Sequence, residues 1–143
     1  MIRVVDLENS IRFYTGPLGM TLLRREDFPE ERFTLAFVGN GPETGNTVIE
    51  LTHNSDQKAP CQIGSGFGHL ALGVTNIYAV CAALAEQGVS IPRKPGPMKH
   101  GVTHIAFIED PDGRRIELIG LDTEQGLRRR TRLGRCHALG GAT

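Results

Sequence analysis

The chain alternates short apolar segments with polar, glycine-rich turns, and the apolar segments have the length of strands. In the first half this pattern predicts strands at residues 1–5, 21–25, 33–38 and 47–52. Asp6 is the predicted N-cap of a helix. The apolar residues of that helix recur at helical spacing: Leu7, Ile11, Tyr14 and Leu18. Glycines at 16 and 19 are predicted to end it.

The second half repeats this order of elements. A strand is predicted at residues 68–74, followed by a helix capped by Thr75 or Asn76 and stopped by Gly88. The apolar face of this helix contains Ile77, Val80, Cys81 and Leu84. A short strand at residues 89–91 and a loop at 92–101 follow. Each half therefore has the order strand, helix, strand, strand, strand, which predicts two similar modules packed around one cavity.

A hairpin closes the second half. Its first strand is predicted at residues 105–108, its turn at 109–113 and its second strand at 115–119. Alternation along the second strand places Glu117 on one face and the apolar Ile116 and Leu118 on the other. We therefore expect the apolar face to pack on a helix and the face with Glu117 to line a cavity.

Glu50 occupies the equivalent place in the first half. It lies 46 residues after Val4, and Glu117 lies 43 residues after Val74, where Val4 and Val74 both end the first strand of a half. Each Glu alone could be a solvent-facing residue of an edge strand. Two carboxylates at equivalent positions, however, favour a shared metal or proton-transfer site.

His69 completes this candidate site, because it lies five residues before Val74. The matching position in the first half falls two residues upstream of Met1. We therefore expect that the native chain starts upstream and carries a second histidine there; loss of that ligand is the alternative. His53, His100 and His104 are weaker candidates for the metal site: His104 opens a strand and His100 lies in a glycine-rich loop, and only the missing histidine keeps them as candidates.

Composition excludes several other classes. The 143 residues, 39% of them hydrophobic, suffice for one domain or for two small halves that share a core. Sixteen basic residues balance sixteen acidic ones, which gives no electrostatic reason to bind nucleic acid. No segment approaches the roughly 20 apolar residues of a membrane span. Three cysteines at 61, 81 and 136, none in a CxxC motif, favour a reducing cytoplasm over a disulfide framework.

The charge is distributed unevenly along the chain. Residues 122–143 contain five Arg against one Asp and one Glu, a net of +3, which leaves −3 for residues 1–121. We interpret 122–143 as a solvated or disordered basic tail, with partner binding as the alternative. The expected domain is then 1–121, divided into a first module at 1–60 and a second at 65–121.

Eight segments along the chain match a known family. These segments are Arg3–Asp6, Ser10–Tyr14, Leu18–Met20, Leu35–Gly39, Gly41–Thr44, Val48–Thr52, Gly68–Leu72 and Ile105–Ile119. Together they resemble glyoxalase I, the lactoylglutathione lyase family of the vicinal oxygen chelate superfamily, in its short bacterial form. The resemblance covers nearly all of residues 1–121, whereas the pattern EDPDGxxIEL alone would indicate only the superfamily.

The resemblance implies an α+β fold of paired βαβββ modules. It also implies an octahedral metal site of two His and two Glu that is assembled across a homodimer interface. Glu50, His69 and Glu117 match three of the ligands, and short chains of this form resemble the enzymes that use Ni²⁺ or Co²⁺ rather than Zn²⁺. Arg3 and Asn54, together with His69, would bind the substrate, in which glutathione is the co-substrate.

The implied reaction isomerises the hemithioacetal of methylglyoxal and glutathione to S-lactoylglutathione through an enediolate. Glu117 is the expected catalytic base, and Glu50 is the opposing ligand. An epimerase acting on a coenzyme A thioester is an alternative, although it would favour Gln in place of Glu50. A thiol transferase acting on an antibiotic and an iron-dependent ring-cleaving dioxygenase match less well. A metal-free protein that binds a small molecule is the alternative from a different class.

Overall fold

The computed structural model describes residues 1–121, and the predicted tail at 122–143 lies outside the described residues. Two compact units are present. The first comprises residues 1–68 together with the turn 110–114, and the second contains residues 69–109 and the described residues from 115 onward. The turn 110–114 thus belongs to the first unit, and the module limits expected from the sequence, 1–60 and 65–121, stay a prediction.

The first unit contains one helix and four strands. These are β1 Ile2–Arg3, α1 Leu7–Thr15, β2 Thr21–Phe28, β3 Phe33–Gly39 and β4 Val48–Asn54. The strands form a sheet in the order β1-β4-β3-β2, in which β1 runs parallel to β4 and the other pairs are antiparallel. Helix α1 packs on this sheet and buries Leu7 and Tyr14.

The second unit has the same arrangement. Its elements are β5 Leu70–Val74, α2 Ile77–Glu86, β6 Arg93–Pro97, β7 His104–Glu109 and β8 Arg115–Gly120. The strand order is β5-β8-β7-β6, again with one parallel pair followed by two antiparallel pairs. The predicted repeat of strand, helix and three strands is therefore confirmed, and so is the α+β class.

Local sequence accounts for both helix starts. The side chain of Asp6 accepts a hydrogen bond from the backbone N–H of Asn9 at 2.9 Å, as an N-cap does. Asn76 caps α2 in the same way through Ala79 at 3.2 Å, and it does so from a left-handed backbone conformation with φ +48°. Asparagine tolerates this conformation better than most residues. Of the two predicted caps, Thr75 and Asn76, the structure uses Asn76.

Several predicted boundaries were wrong. No strand forms at residues 89–91; β6 lies instead at Arg93–Pro97, inside the predicted loop. Two prolines favoured a loop there, but an edge strand needs hydrogen bonds on one side only and therefore tolerates proline. Strand β2 continues to Phe28 instead of ending at Arg25, because Phe28 stacks on Phe33 of β3 with ring centroids 4.7 Å apart.

The bounds of three further strands and of helix α1 differ from the expectation by a few residues. Strand β1 covers only Ile2–Arg3, β4 extends through Asn54, and β5 begins at Leu70, so that His69 precedes the strand. Helix α1 ends at Thr15, before Leu18. Neither helix of residues 1–121 has the length and apolar character that crossing a membrane would require.

Candidate metal and substrate site

Glu117 and His69 lie together in the second unit. On β8, Glu117 faces Phe107 of β7 on one side and Ala71 of β5 on the other. His69 Nε2 lies 3.2 Å from Glu117 Oε2, and the side-chain exposures are 41% and 15%. The imidazole also meets the Phe107 ring edge to face, with centroids 5.4 Å apart. Two of the three sequence-predicted metal ligands therefore converge within one unit.

The predicted alternation along β8 explains why Glu117 is held in place. Ile116 and Leu118 are fully buried on the opposite face, whereas Glu117 and Ile119 are half-buried. A one-residue shift of the strand would place the carboxylate in the apolar core, at a large cost in desolvation. The apolar face thus fixes the register that presents Glu117 beside His69.

Glu50 lies in the first unit on β4. It is half-buried, accepts a hydrogen bond from Thr52 Oγ1 at 3.2 Å, and faces Phe37 of β3 across the sheet. The guanidinium of Arg24 on β2 covers the Phe37 ring, 3.4 Å from its centroid. The structure therefore holds Glu50 by contacts within its own unit.

The internal repeat extends to the residues that flank each carboxylate. In the first unit, Arg24, Phe37 and Glu50 are cross-strand neighbours in one row. In the second unit, Arg93, Phe107 and Glu117 form the corresponding row. Cross-strand partners share a face of the sheet, so each Glu has an aromatic ring as its neighbour and an Arg beyond that ring. The sequence spacing alone did not reveal this match.

Arg3 and Asn54, the predicted substrate-binding residues, occupy adjacent strands of the first unit. Arg3 is exposed and pairs with Thr52 on β4, and Asn54 ends that same strand. Arg3 lines a cavity of about 240 Å³. The other residues lining this cavity are Met1, Ile2, Cys61, Ile63, Phe67 and Arg114.

The remaining described histidines have other environments. His53 Nδ1 lies 3.2 Å from the carbonyl oxygen of Val4, and His104 Nδ1 lies 3.2 Å from the hydroxyl of Tyr78. His100 is exposed in a turn. Cys61 is an exposed free thiol, and Cys81 is a buried free thiol whose pKa is raised by burial; Cys136 lies outside the described residues.

The donor atoms present suit a divalent metal ion of intermediate hardness. The imidazole nitrogen of His69 and the carboxylate oxygen of Glu117 lie close enough to bind one ion. Within residues 1–121 of the single chain, no three His, Cys, Asp or Glu side chains are grouped closely enough to hold a metal. The pair fits part of a metal site.

Sequence reasoning missed a buried charged cluster in the first unit. Asp110 and Arg114 are almost fully buried, with side-chain exposures of 1% and 7%. Asp110 accepts hydrogen bonds from the hydroxyl of Tyr14 at 3.3 Å and from the backbone N–H of Arg114 at 2.8 Å. The pKa of Tyr14 is raised above its usual range. The largest cause is burial, followed by the charge of Asp110 and then by the hydrogen bond from the Tyr14 hydroxyl to Asp110. The EDPDG turn was recognised from the sequence, but nothing in it signalled that its charges are buried.

Comparison with known proteins agrees with this architecture. The family model described as Glyoxalase/Bleomycin resistance protein/Dioxygenase superfamily matches residues 1–118. A probable lactoylglutathione lyase of Synechocystis sp. is 57% identical over 121 residues, which cover 83% of this chain and 90% of the relative. The lactoylglutathione lyase of Salmonella typhimurium is 49% identical over 128 residues, which cover 89% of this chain and 94% of the relative.

Two solved structures are also similar. The trypanothione-dependent glyoxalase I of Leishmania major superposes with a TM-score of 0.77 at 37% identity, covering 96% of this chain and 92% of that one. Glyoxalase I of Zea mays superposes with a TM-score of 0.78 at 46% identity over 82% of this chain. Since the match spans only 41% of the Zea mays chain, this chain corresponds to a part of that longer protein.

Proposed function

Because this chain belongs to the Glyoxalase/Bleomycin resistance protein/Dioxygenase superfamily, we propose that it is a lactoylglutathione lyase. Its substrate is the hemithioacetal that methylglyoxal and glutathione form, and its product is S-lactoylglutathione. The observation that carries this proposal is the pairing of His69 with Glu117 at 3.2 Å on the second sheet. Relatives about 50% identical over most of the chain carry the same name.

Glu117 is the base in this proposal. Its carboxylate takes the proton from the carbon that bears sulfur, and the electrons of that C–H bond form the enediolate. The same carboxylate then returns the proton to the neighbouring carbon, and the hydroxyl proton on the carbon that bears sulfur passes to the oxygen of the neighbouring carbon, so that the product is an isomer of the substrate and Glu117 is regenerated. No external oxidant or reductant is needed. The rigid strand position of Glu117, fixed by Ile116 and Leu118, keeps the base oriented for both transfers.

Glu50, His69 and Glu117 are the residues that would hold a divalent ion. When bound, the ion supplies electrostatic stabilisation of the oxyanion that develops on the substrate. We propose nickel or cobalt as the metal, with zinc as the weaker candidate. The mixed nitrogen and oxygen donor set accepts all three, and the resemblance to the short bacterial form implies the first two.

The two rings beside the carboxylates shield them from water. Phe37 is buried and Phe107 is half-buried, and each is the direct cross-strand neighbour of a Glu. Apolar neighbours strengthen electrostatic interactions at the carboxylates by lowering the local dielectric. Arg3 and Asn54 would bind the polar and carboxylate groups of the glutathione moiety, for which a guanidinium is well suited.

We further propose a homodimer in which each metal site takes Glu50 from one chain and both His69 and Glu117 from the other. Glu50 belongs to one unit, and the pair His69 and Glu117 to the other, so a two-fold dimer could complete two equivalent sites. A cytoplasmic location is consistent with the free thiols of Cys61 and Cys81.

The test is a metal-replacement assay. Protein stripped by a chelator is reloaded with Ni²⁺, Co²⁺ or Zn²⁺, and formation of the lactoyl thioester is followed by its ultraviolet absorbance. We expect turnover with Ni²⁺ and Co²⁺ and much less with Zn²⁺. If no ion restores thioester formation, the lyase proposal is wrong. If hemithioacetal binds without turnover, the protein is instead a binding protein.

A further inference from the structure

Arg114 joins the turn 110–114 to strand β1 by a contact with the backbone of Arg3. Its guanidinium Nη2 donates a hydrogen bond to the carbonyl oxygen of Arg3. Its Nη1 donates to Asp110 Oδ2 at 3.3 Å and lies 3.2 Å from Asp112 Oδ2, an ion-pair contact without hydrogen-bond alignment. One planar cation therefore donates hydrogen bonds to one carboxylate and to a strand carbonyl, and it forms an ion pair with a second carboxylate.

The surroundings make this contact rigid. The side chains of Arg114, Asp110 and Asp112 are at most 7% exposed, so the charges are almost fully removed from water. Asp112 Oδ1 additionally accepts from the backbone N–H of Val5 at 3.3 Å, two residues beyond Arg3. The cluster of one cation and two carboxylates carries a net negative charge, so losing the cation would leave two buried carboxylates without a counter-charge.

The same turn leads directly into the strand that carries the proposed base. Strand β8 begins at Arg115, and Glu117 follows Arg114 by three residues. Arg3, held through its carbonyl, is the proposed ligand for a glutathione carboxylate, and both Arg3 and Arg114 line the cavity of about 240 Å³. Arg114 thus contacts the backbone of one functional residue and immediately precedes the strand of another.

We propose that Arg114 is a positioning residue that sets Arg3 for substrate binding and the start of β8 for proton transfer by Glu117. This inference rests on the proposed lyase function. A base or a binding group displaced by about 1 Å loses up to 10²-fold in rate. Arg114 itself touches neither the substrate nor the reacting atoms in this proposal.

The test uses Arg114→Lys, which keeps the charge that Asp110 and Asp112 require but replaces the planar donor with a single ammonium. We expect KM to rise and kcat to fall, each by about tenfold. The same Arg114→Lys substitution is then made in an Arg3→Met variant. There it should still lower kcat but should no longer raise KM, because the Arg3 guanidinium that it would displace is absent. Such a separation of KM from kcat would not arise from loss of stability alone.

Tyr14→Phe is the matched control. It removes one hydrogen bond to Asp110 in the same cluster but leaves the contacts of Arg114 with Arg3 and the carboxylates in place. We expect it to lower the melting temperature with little change in KM. Assays are run below the melting temperature of every variant, and circular dichroism verifies folding.

The proposal is overturned if Arg114→Lys leaves KM unchanged, if it raises KM equally in both backgrounds, or if Tyr14→Phe reproduces its kinetic effects. Calorimetry measures the affinity for a non-reactive S-alkyl glutathione. This affinity distinguishes failure of the positioning role of Arg114 from failure of the proposed lyase function. Wild-type protein that binds this probe through Arg3 but forms no lactoyl thioester refutes the lyase activity. In that case the effect of Arg114→Lys on the affinity still tests the positioning of Arg3.

Discussion

Glu117 combines two properties that a general base on a strand requires. Its backbone is fixed by the burial of Ile116 and Leu118 on the opposite face, and its carboxylate remains 15% exposed beside His69. A fully solvated carboxylate would lack a defined position, and a fully buried one would carry a large desolvation cost. The partial exposure of Glu117 leaves room for a substrate.

Substitution of Glu117 by Gln tests this residue directly. Gln keeps the size and shape of Glu but cannot accept the proton, so we expect turnover to fall by at least about 10²-fold while the fold is retained. The measurement is the rate of lactoyl thioester formation at verified metal content. Glu109→Gln is the control, because Glu109 lies on the neighbouring strand and accepts a hydrogen bond from Ser90 at the exposed surface. Near-normal turnover of the Glu117 variant would exclude Glu117 as the base.

At the level of single residues, the sequence indicated Glu117 as a candidate metal ligand but did not indicate the buried residues Arg114 and Asp110. Glu117 was recognised because a carboxylate interrupts an apolar strand, which is a local pattern. Arg114 and Asp110 lie in a polar turn that resembles any solvated turn. Their burial depends on Tyr14, which is 96 residues from Asp110 along the chain. A local sequence pattern does not indicate a contact with a residue so far away along the chain.

Helix α1 and the turn 110–114 are joined through the buried hydroxyl of Tyr14, and this link has a consequence at alkaline pH. In the folded state, burial and the nearby Asp110 hold the pKa of Tyr14 above its usual range, while the charge of Arg114 opposes this in part. In the unfolded chain Tyr14 ionises near its ordinary pKa of about 10. Above that pH the unfolded state binds fewer protons than the folded state, so stability decreases as pH rises.

We therefore expect the free energy of unfolding to decrease above pH ~10, with this tyrosine contributing up to about 1.4 kcal/mol per pH unit. Urea denaturation across that range measures the slope. Tyr14→Phe should lose this contribution, whereas Tyr78→Phe, at the half-exposed second tyrosine, should retain it. Equal slopes for the wild type and Tyr14→Phe would show that Tyr14 ionises equally in both states.

Secondary-structure elements were predictable where the side chains alternate and less so at sheet edges. Strand β8 shows a regular alternation and was placed correctly. Strands β2 and β6 lie at the edges of their sheets, where many side chains face solvent and little alternation remains. The prolines at 95 and 97 added a misleading loop signal for β6. Edge strands are specified mainly by pairing with a neighbour, which sequence patterns describe poorly.

At the scale of the whole molecule, the repeat was the most informative feature of the sequence. The strand orders β1-β4-β3-β2 and β5-β8-β7-β6 follow the same path, as the repeated pattern predicted. The matching rows that contain Glu50 and Glu117 show that the repeat includes the candidate site as well as the fold. The repeat does not show, however, whether each site is completed by one chain or by two. That question requires an experiment on the assembly.

Complementation between two inactive variants answers it. If each site takes Glu50 from one chain and Glu117 from the other, a mixed dimer of Glu50→Gln with Glu117→Gln has one doubly defective site and one intact site. Random pairing makes about half of the dimers mixed, so we expect about a quarter of wild-type activity to return. Co-expression with two different tags allows the mixed dimer to be isolated and assayed with full metal.

The matched control pairs His69→Gln with Glu117→Gln. These residues lie 3.2 Å apart in one unit of one chain, so every site of that mixed dimer retains one defect and no activity should return. Recovery in the first mixture and none in the second identifies Glu50 as the ligand contributed by the partner. If neither isolated mixed dimer recovers activity, Glu50 and Glu117 of the same chain belong to one site, and the shared-site arrangement is wrong. A protein that sediments as a monomer while it binds metal tightly would lead to the same conclusion.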